Sequence, residues 1–170
     1  MEISIRRVRE EDATSIVEIL NPIIQAGIYT VMEEPFTVND QIEFIRNFPL
    51  RGIYHIAKAD NHRKVLGIQD VMPISTSDVF KHVGEISTFV ALDSHNQGIG
   101  QSLSQATFKA AKEPGFLKLR ATVRADNLHA LLFYQGLGFE HIGTAKKHAF
   151  LRGTYIDEVL LEKWIEQETS

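Results

Sequence analysis

The segment from Val90 to Gln101 has the residue types of an anion-binding turn. A β-branched and apolar run ends at Leu92, and after a polar loop two glycines, Gly98 and Gly100, lead into a helical pattern. Glycine lets a backbone approach a ligand closely, and the first N–H groups of a helix have no partner within it. Together these features are typical of a phosphate-binding site. The same residues are also compatible with an ordinary strand-to-helix turn.

Several chemistries are excluded by what the chain lacks. A dinucleotide fingerprint needs a third glycine where Leu103 stands, and a P-loop needs Lys-Ser or Lys-Thr after Gly100. With no cysteine, a disulfide framework, a thiolate metal site and a cysteine nucleophile are excluded. No two histidines have the i, i+4 spacing of a helical zinc site. We therefore expect no metal.

The composition is that of an ordinary folded domain. The chain has 170 residues, of which 44% are hydrophobic and 24% charged, and we expect a single domain over residues 1–170. Its 18 basic and 22 acidic side chains give a net charge of −4, so we expect neither nucleic acid nor a membrane as a partner. The longest apolar run, Ala130 to Tyr134, is too short for a membrane span, and the N-terminus lacks a secretory signal. Cytoplasmic location is the default expectation.

Hydrophobic periodicity and turn residues predict the elements that position these residues. The predicted strands are 3–8, 52–57, 65–72 (a hairpin with its partner across a turn at 58–64), 84–92, 117–123, 139–142 and 155–161. The predicted helices are one following Glu10–Asp12 and interrupted at Asn21-Pro22, one capped at Thr37–Asp40, and two at 100–112 and 128–136. This order fits a mixed α/β or α+β sheet better than strict alternation of strand and helix.

The turn and a downstream segment carry a resemblance to a known family. Residues Val90 to Gly100 resemble the acetyl-CoA loop of the GNAT superfamily of N-acetyltransferases, commonly Val-x-Pro-Glu-x-Arg-Gly-x-Gly-x-Gly, with Asp93 at the acidic position. Asn127 followed by Phe133-Tyr134-x-x-x-Gly138-Phe139 resembles its second signature, and residues 156–161 resemble its last strand. Glu34-Pro35-Phe36-Thr37, after an irregular helix, is similar to the phosphinothricin acetyltransferase branch.

The loop departs from the family pattern at three positions. His95 and Asn96 replace the usual Arg-Gly, and Leu92 replaces the usual proline. Neutral histidine offers a pyrophosphate a hydrogen bond more than a full charge. Asparagine tolerates positive φ better than most residues, so we expect the loop to form.

The resemblance implies a fold, a cosubstrate and a reaction. The fold would be a mixed, mostly antiparallel, twisted sheet of about seven strands flanked by helices. An amine would attack the thioester of acetyl-CoA directly in a ternary complex. The acceptor would be a small amino-acid-like compound or amine, and a homodimer is common in the resembled branch. The alternatives are acetylation of a protein N-terminus or lysine, and a non-catalytic acyl-CoA-binding module.

The resemblance also implies residue roles. Tyr134 would protonate the leaving thiolate, unless it only packs a helix face. Glu85 would be the base, directly or through water, unless it lies on the wet face of its strand. A backbone N–H at Phe89–Val90 would hold the thioester oxygen, and Asn127 would contact the cofactor while capping a helix. Independently of the resemblance, the charge of Glu33 and Glu34 would attract a cationic or amino-bearing substrate, unless they are only solvated, as adjacent acids in a loop usually are. The expected cofactor-binding residues are Phe89, Val90, His95, Asn96, Gln97, Gly98, Ile99, Gly100, Gln101 and Asn127.

Overall fold

Seven strands form one sheet in a computed structural model that describes residues 2–59 and 64–165. The strands are β1 (Ile3–Arg7), β2 (Ile53–Ala59), β3 (Val65–Pro73), β4 (Val83–Val90), β5 (Lys118–Arg124), β6 (Glu140–Leu151) and β7 (Thr154–Trp164). The helices are α1 (Ala13–Ala26), α2 (Val38–Arg46), α3 (Ile99–Ala111) and α4 (Leu128–Gly136), with short 3-10 turns at Glu10–Asp12, Asp78–Phe80 and Leu92–Ser94.

The strand order is β1-β2-β3-β4-β5-β7-β6. Every neighbouring pair is antiparallel except β4 and β5, which run parallel. The predicted mixed, mostly antiparallel sheet of about seven strands is confirmed.

Helices cover both faces of the sheet. On one face α1 buries Ile16 and Ile24 against Ile56 and Ile68 of the sheet. On the other face α3 buries Ile99 and Leu103 in a cluster with Ala57 and Leu66. None of the helices in the described ranges is long and apolar enough to cross a membrane.

The predicted break at Asn21-Pro22 is wrong, because α1 continues through Pro22 to Ala26 and ends at Gly27 with φ +70°. Proline removes one helical N–H, which leaves the carbonyl of Glu18 without its partner four residues on. Glu18 is exposed, so water can bond that carbonyl. Burial of Ile23 and Ile24 beyond the proline holds the last turn in place.

The predicted start of α2 is confirmed. The Thr37 hydroxyl accepts a hydrogen bond from the Asp40 N–H at 3.1 Å, and the Asp40 carboxylate accepts one from the Thr37 N–H at 2.8 Å. This reciprocal capping box satisfies two N–H groups that a helix start leaves without partners.

Both C-terminal strands are longer than predicted. β6 runs on from residue 142 to Leu151, although its register with β7 shifts between His141 and Gly143 and again between Ala145 and Ala149. Lys147 takes φ +49° at the second shift. These irregularities break the period-two pattern from which a strand is predicted. The hairpin turn at 58–64 falls mostly on residues 60–63, outside the described residues.

The parallel pair β4 and β5 separates after three residues. Val83, Gly84 and Glu85 pair with Lys118–Arg120, and no pairing with β5 follows along the rest of β4. The sheet is therefore split between these strands, and the backbone of Ile86–Val90 faces an opening.

Candidate active site

A cavity of about 900 Å³ extends from the split between β4 and β5 across one face of the sheet. Its walls come from α1, the loop at 29–36, α2, strands β2 to β5, the start of α3, and α4. Of the sites predicted from sequence, the cavity brings together Tyr134, Glu85, Asn127 and most of the glycine turn.

The backbone of β4 presents Val90 to the opening. The Ala91 N–H donates to the Leu66 carbonyl at 2.9 Å, so the backbone of Ala91 points toward β3. Backbone groups alternate along a strand, so the Phe89 N–H also points to β3 and the Val90 N–H points into the opening. The Val90 carbonyl accepts a hydrogen bond from His95 Nε2 at 3.1 Å on that side. Of the predicted pair, Val90 thus offers the N–H, and Phe89 contributes its side chain to the cavity wall.

The turn before α3 takes the conformation that its residue types predict. Asn96 has φ +60° and Gly98 has φ +77°. The first hydrogen bond of α3 runs from the Ser102 N–H to the Gly98 carbonyl at 3.0 Å. The N–H groups of residues 99–101 precede that bond and have no acceptor within the helix. They form a donor set suited to a phosphate.

The two glycines of the turn are required for different reasons. A Cβ built on Gly98 would meet nothing within 4 Å, so this position lies in open space beside the turn. A Cβ on Gly100 would lie 2.8 Å from the ring of Phe133. The expectation that both glycines allow a ligand to approach is corrected for Gly100, whose missing side chain makes room for α4.

The remaining predicted residues of the turn divide between the cavity and its surroundings. The Ile99 side chain is buried in the core, so only its backbone can face a ligand. Gln97 is exposed, donates to the Asp93 carbonyl at 3.4 Å and does not line the cavity. Gln101 lines it.

His95 and Asn96 are joined to α4 through His129. The imidazole rings of His95 and His129 stack with centroids 5.1 Å apart, and His129 Nε2 lies 3.2 Å from Asn96 Oδ1. The edge of the Tyr29 ring contacts His95, with centroids 6.0 Å apart. The two residues that replace the usual Arg-Gly are therefore built into the cavity wall.

Tyr134 is buried, and its hydroxyl lies 2.9 Å from the Thr88 hydroxyl. Burial raises the pKa of Tyr134, while the hydrogen bond with Thr88 lowers it and the charges of Asp70 and Glu85 raise it further. The phenol is therefore neutral at physiological pH and retains a proton to donate. The alternative prediction, that Tyr134 only packs against a helix face, does not account for the hydrogen bond between the Tyr134 and Thr88 hydroxyls.

A chain of polar groups continues from the Thr88 hydroxyl. Gln69 Nε2 donates to Thr88 Oγ1 and to Ser104 Oγ, both at 2.9 Å, and Ser104 Oγ donates to the Gly100 carbonyl at 2.8 Å. Because Thr88 Oγ1 accepts from Gln69, its own proton is available to the Tyr134 oxygen, although either hydroxyl of that pair can be the donor. When Thr88 donates, the Tyr134 proton is not used within the pair.

Glu85 lies at the point where β4 and β5 separate. One carboxylate oxygen accepts from Arg120 Nε at 2.6 Å and the other accepts from the Thr122 hydroxyl at 2.7 Å. Its side chain is 29% exposed and lines the cavity. Glu85 thus has a cationic partner, Arg120, in the neighbouring strand.

Asp70 is an acidic group in the cavity that sequence reasoning missed. It lies on β3 with Tyr54 of β2 and Ser87 of β4 as its cross-strand neighbours. Burial raises the pKa of Asp70 to about 7, and the charge of Glu85 adds to the shift. Within the described residues its carboxylate accepts no hydrogen bond and forms no ion pair. The only sequence signal is an acid within the apolar run of 65–72.

Asn127 and Arg124 anchor the loop that follows α1. Asn127 Oδ1 accepts from the Ala130 N–H at 3.1 Å, which confirms the predicted helix cap, and its Nδ2 donates to the Tyr29 carbonyl at 3.1 Å. Arg124 donates to both oxygens of Asp126 and to the carbonyls of Gly27 and Thr30. Four of the five N–H groups of its guanidinium are therefore already used.

Glu33 and Glu34 are exposed and do not line the cavity. The expectation that they face the substrate is corrected, because adjacent acids at a loop tip are better solvated pointing outward. From the same loop, Tyr29–Met32 and Phe36 line the cavity. The acids that do face it are Asp70, Glu85 and Glu158.

Comparison with known proteins identifies the family. An acetyltransferase (GNAT) domain matches residues 5–160. The chain belongs to the GNAT acetyltransferase family. It is an acyltransferase by class, and the glycine turn described above lies where the sequence motif predicts it.

Relatives of the chain include named N-acyltransferases. A phosphinothricin N-acetyltransferase of Streptomyces coelicolor is 23% identical over 95% of this chain and 96% of its own length. An L-amino acid N-acyltransferase of Escherichia coli is 24% identical over 98% and 96%. A phosphinothricin acetyltransferase of Sinorhizobium meliloti, solved with acetyl-CoA, superposes with a TM-score of 0.89 at 20% identity over 99% and 91%. The resemblance to this branch is confirmed.

Across residues 2–59 and 64–165, no group of three or more histidine and acidic side chains could hold a metal ion.

Proposed function

We propose that this chain transfers the acetyl group of acetyl-CoA to the primary amine of a small molecule, by direct attack in a ternary complex. The observation that carries the proposal is the split between β4 and β5, with the turn at 96–101 at one end and the Tyr134 hydroxyl facing the cavity. An acetyl-CoA-bound relative with a TM-score of 0.89 has the same fold.

The residues around the split fit acetyl-CoA. The free N–H groups of residues 99–101 suit its pyrophosphate, and the open space beside Gly98 admits that group. The unpaired edge of Ile86–Val90 can bond an extended pantetheine arm as a further strand would. The Val90 N–H is placed to donate to the thioester oxygen, where negative charge develops during attack.

Tyr134 is the proposed acid and Glu85 the proposed base. As the amine nitrogen bonds to the acetyl carbon and the carbon–sulfur bond breaks, the neutral phenol of Tyr134 gives its proton to the thiolate sulfur. Glu85 takes the proton that the attacking nitrogen loses, directly or through water. Both side chains line the same cavity, which supports pairing these roles.

A pocket walled by a loop and a helix favours a small acceptor over a protein. The loop at 29–36 and α2 wall one side of the cavity, with Phe36, Phe44 and Tyr54 in its lining. A lysine on a protein surface or a protein N-terminus would need an open groove. A homodimer and a cytoplasmic location remain predictions from the sequence.

Thermal unfolding with acetyl-CoA, CoA, NAD and ATP in parallel tests the cofactor. We expect acetyl-CoA and CoA alone to raise Tm by about 5–11 °C at 100-fold excess over Kd. Gly98→Val should abolish this shift, because it fills the open space beside the turn. Gly153→Val is the matched control, since Gly153 also has positive φ and open space but does not line the cavity.

Release of free thiol from acetyl-CoA, measured with a panel of amines, tests the reaction. Amine-dependent thiol release supports a transferase. A chain that binds acetyl-CoA and acetylates neither amines nor peptides would be a binding module, and the proposal would fail. No Tm shift with acetyl-CoA would contradict the cofactor assignment itself.

A further inference from the structure

The side chains that line the cavity include more carboxylates than lysine or arginine groups. The acids are Asp70, Glu85 and Glu158, and of the described lining residues only Arg124 is a lysine or arginine. The Arg124 guanidinium already donates to Asp126 and to two backbone carbonyls. An entering carboxylate would therefore find negative charge and no free cation.

Asp70 is the carboxylate best placed to receive a cation. Glu85 already accepts hydrogen bonds from Arg120 and Thr122, whereas in the described residues nothing donates to Asp70. Its raised pKa, about 7, has the same origin, since burial without a partner disfavours the charged form. A bound ammonium would supply the missing partner.

The surroundings of Asp70 combine its hydroxyl-bearing neighbours Tyr54 and Ser87 with apolar side chains. Ile68 and Met72 flank it along the same face of β3, because residues two apart on a strand point the same way. Phe36, Phe44 and Phe89 also line the cavity. Such a wall suits a hydrocarbon or aromatic body attached to the amine.

We infer that the acceptor is a primary amine with an apolar body and no carboxylate, whose ammonium group is held by Asp70 before it loses its proton. The inference rests on the proposed function and narrows its substrate class. It also separates this chain from the relative named as an L-amino acid N-acyltransferase, whose acceptors carry a carboxylate by definition.

Matched pairs of amines and amino acids test the inference. Acetylation by the full chain is measured for phenylalanine, 2-phenylethylamine and phenylalanine amide, and for leucine and methionine with their decarboxylated amines. Phenylalanine amide keeps the bulk at the carboxyl position and removes its charge. We expect the amines and the amide to have kcat/KM at least about 100-fold above the amino acids, because the carboxylate would be buried without a partner.

Asp70→Asn provides the second test. It should lower kcat/KM for the amines by about 10- to 100-fold, mainly through KM, as expected for loss of a charged hydrogen bond. KM for acetyl-CoA should not change. Asp78→Asn, at an exposed acid outside the cavity, is the matched control and should behave as the unmodified chain.

The outcomes separate the inference from the proposed function. Amino acids accepted as well as their amines, or an unchanged KM in Asp70→Asn, would overturn the inference while the acetyltransferase proposal stands. A chain that binds acetyl-CoA but acetylates only protein or peptide amines would also overturn it. Failure to bind acetyl-CoA would overturn the proposed function itself.

Discussion

Asp12, at the start of α1, and Asp70, in the middle of β3, are two carboxylates whose pKa values are shifted in opposite directions by their surroundings. Asp12 accepts hydrogen bonds from two nitrogens of Arg6, at 2.7 and 2.8 Å, and from the Arg9 N–H at 2.8 Å. Asp70 has Tyr54 and Ser87 as its cross-strand neighbours and, among the described residues, accepts no hydrogen bond. One acid is surrounded by partners from its own chain, and the other faces a cavity.

The pKa values follow from these surroundings. Burial alone would raise the pKa of Asp12, but the hydrogen bonds from Arg6 and Arg9 outweigh it and the net shift is downward. Burial raises the pKa of Asp70, and nothing reverses the shift. The ionised Asp12 carboxylate thus stabilises the native state. Ionising Asp70 without a partner costs free energy, and a cationic ligand would offset that cost. Such contrasts mark functional groups.

The largest effect is expected at Asp12. Asp12→Asn should lower the free energy of unfolding by about 2–3 kcal/mol at pH 7, because it breaks a partly buried pair and leaves Arg6 without its counter-ion. Urea denaturation measures this. The kcat of the folded fraction should match the unmodified chain, since Asp12 does not line the cavity. A decrease in the free energy of unfolding below about 1 kcal/mol would show that Asp12 does not stabilise the native state as expected.

Asp70→Asn should have the opposite sign. The native state keeps the Asp70 proton up to about pH 7, whereas the unfolded chain releases it near pH 4. Stability is therefore lost as pH rises between these values, and a neutral Asn avoids that loss. We expect a gain of about 1–2 kcal/mol at pH 8, after allowing for solvent in the cavity, and none at pH 4. Destabilisation at pH 8 would contradict an unpartnered Asp70.

The pH dependence of amine acetylation should report Asp70. Below about pH 7 the carboxylate is protonated and cannot pair with an ammonium, so kcat/KM for 2-phenylethylamine should fall about fivefold from pH 7 to pH 6. The titratable groups facing it are Tyr54 from β2, Glu85 from β4 and Tyr134 from α4.

Variants separate these groups. The two phenols have raised pKa values and stay neutral over this range. Asp70→Asn should lose the fall in kcat/KM below pH 7. Glu85→Gln should lower kcat by removing the proposed base, and should move that fall to lower pH by removing a like charge beside Asp70. A fall that persists unchanged in Asp70→Asn belongs to another group.

Tyr134 is intermediate between Asp12 and Asp70 in its number of partners, because its buried hydroxyl has one hydrogen-bond partner. Thr88→Val removes that partner at nearly constant shape and should lower kcat about 3- to 10-fold, with KM for acetyl-CoA unchanged. Thr88→Ser should restore the rate. Equal rates in all three chains would show that Thr88 does not position the phenol.

Much of the site could be predicted because its residues are close in sequence. The turn at 90–100 and the Asn127–Tyr134 segment are local motifs, and the structure places both at the split. Asp70 could not be found in this way. Its environment depends on the register that sets Tyr54 and Ser87 beside it, and on the partners that other strands give to Glu85 and Arg124.

The fold shows the same limit. The α2 cap could be predicted from Thr37 and Asp40, which contact each other across three residues. The continuation of α1 through Pro22 and the length of β6 could not, because burial of Ile24 and pairing with β7 outweigh the local signals.

The most direct test compares acetyl transfer in Tyr134→Phe and Asp12→Asn with the unmodified chain, using 2-phenylethylamine and saturating acetyl-CoA. We expect Tyr134→Phe to lower kcat about 10- to 100-fold with KM for acetyl-CoA nearly unchanged, as for loss of a general acid. Asp12→Asn should keep the kcat of its folded fraction. An unchanged kcat in Tyr134→Phe would contradict the account, since the cavity would then work without the buried phenol at its centre.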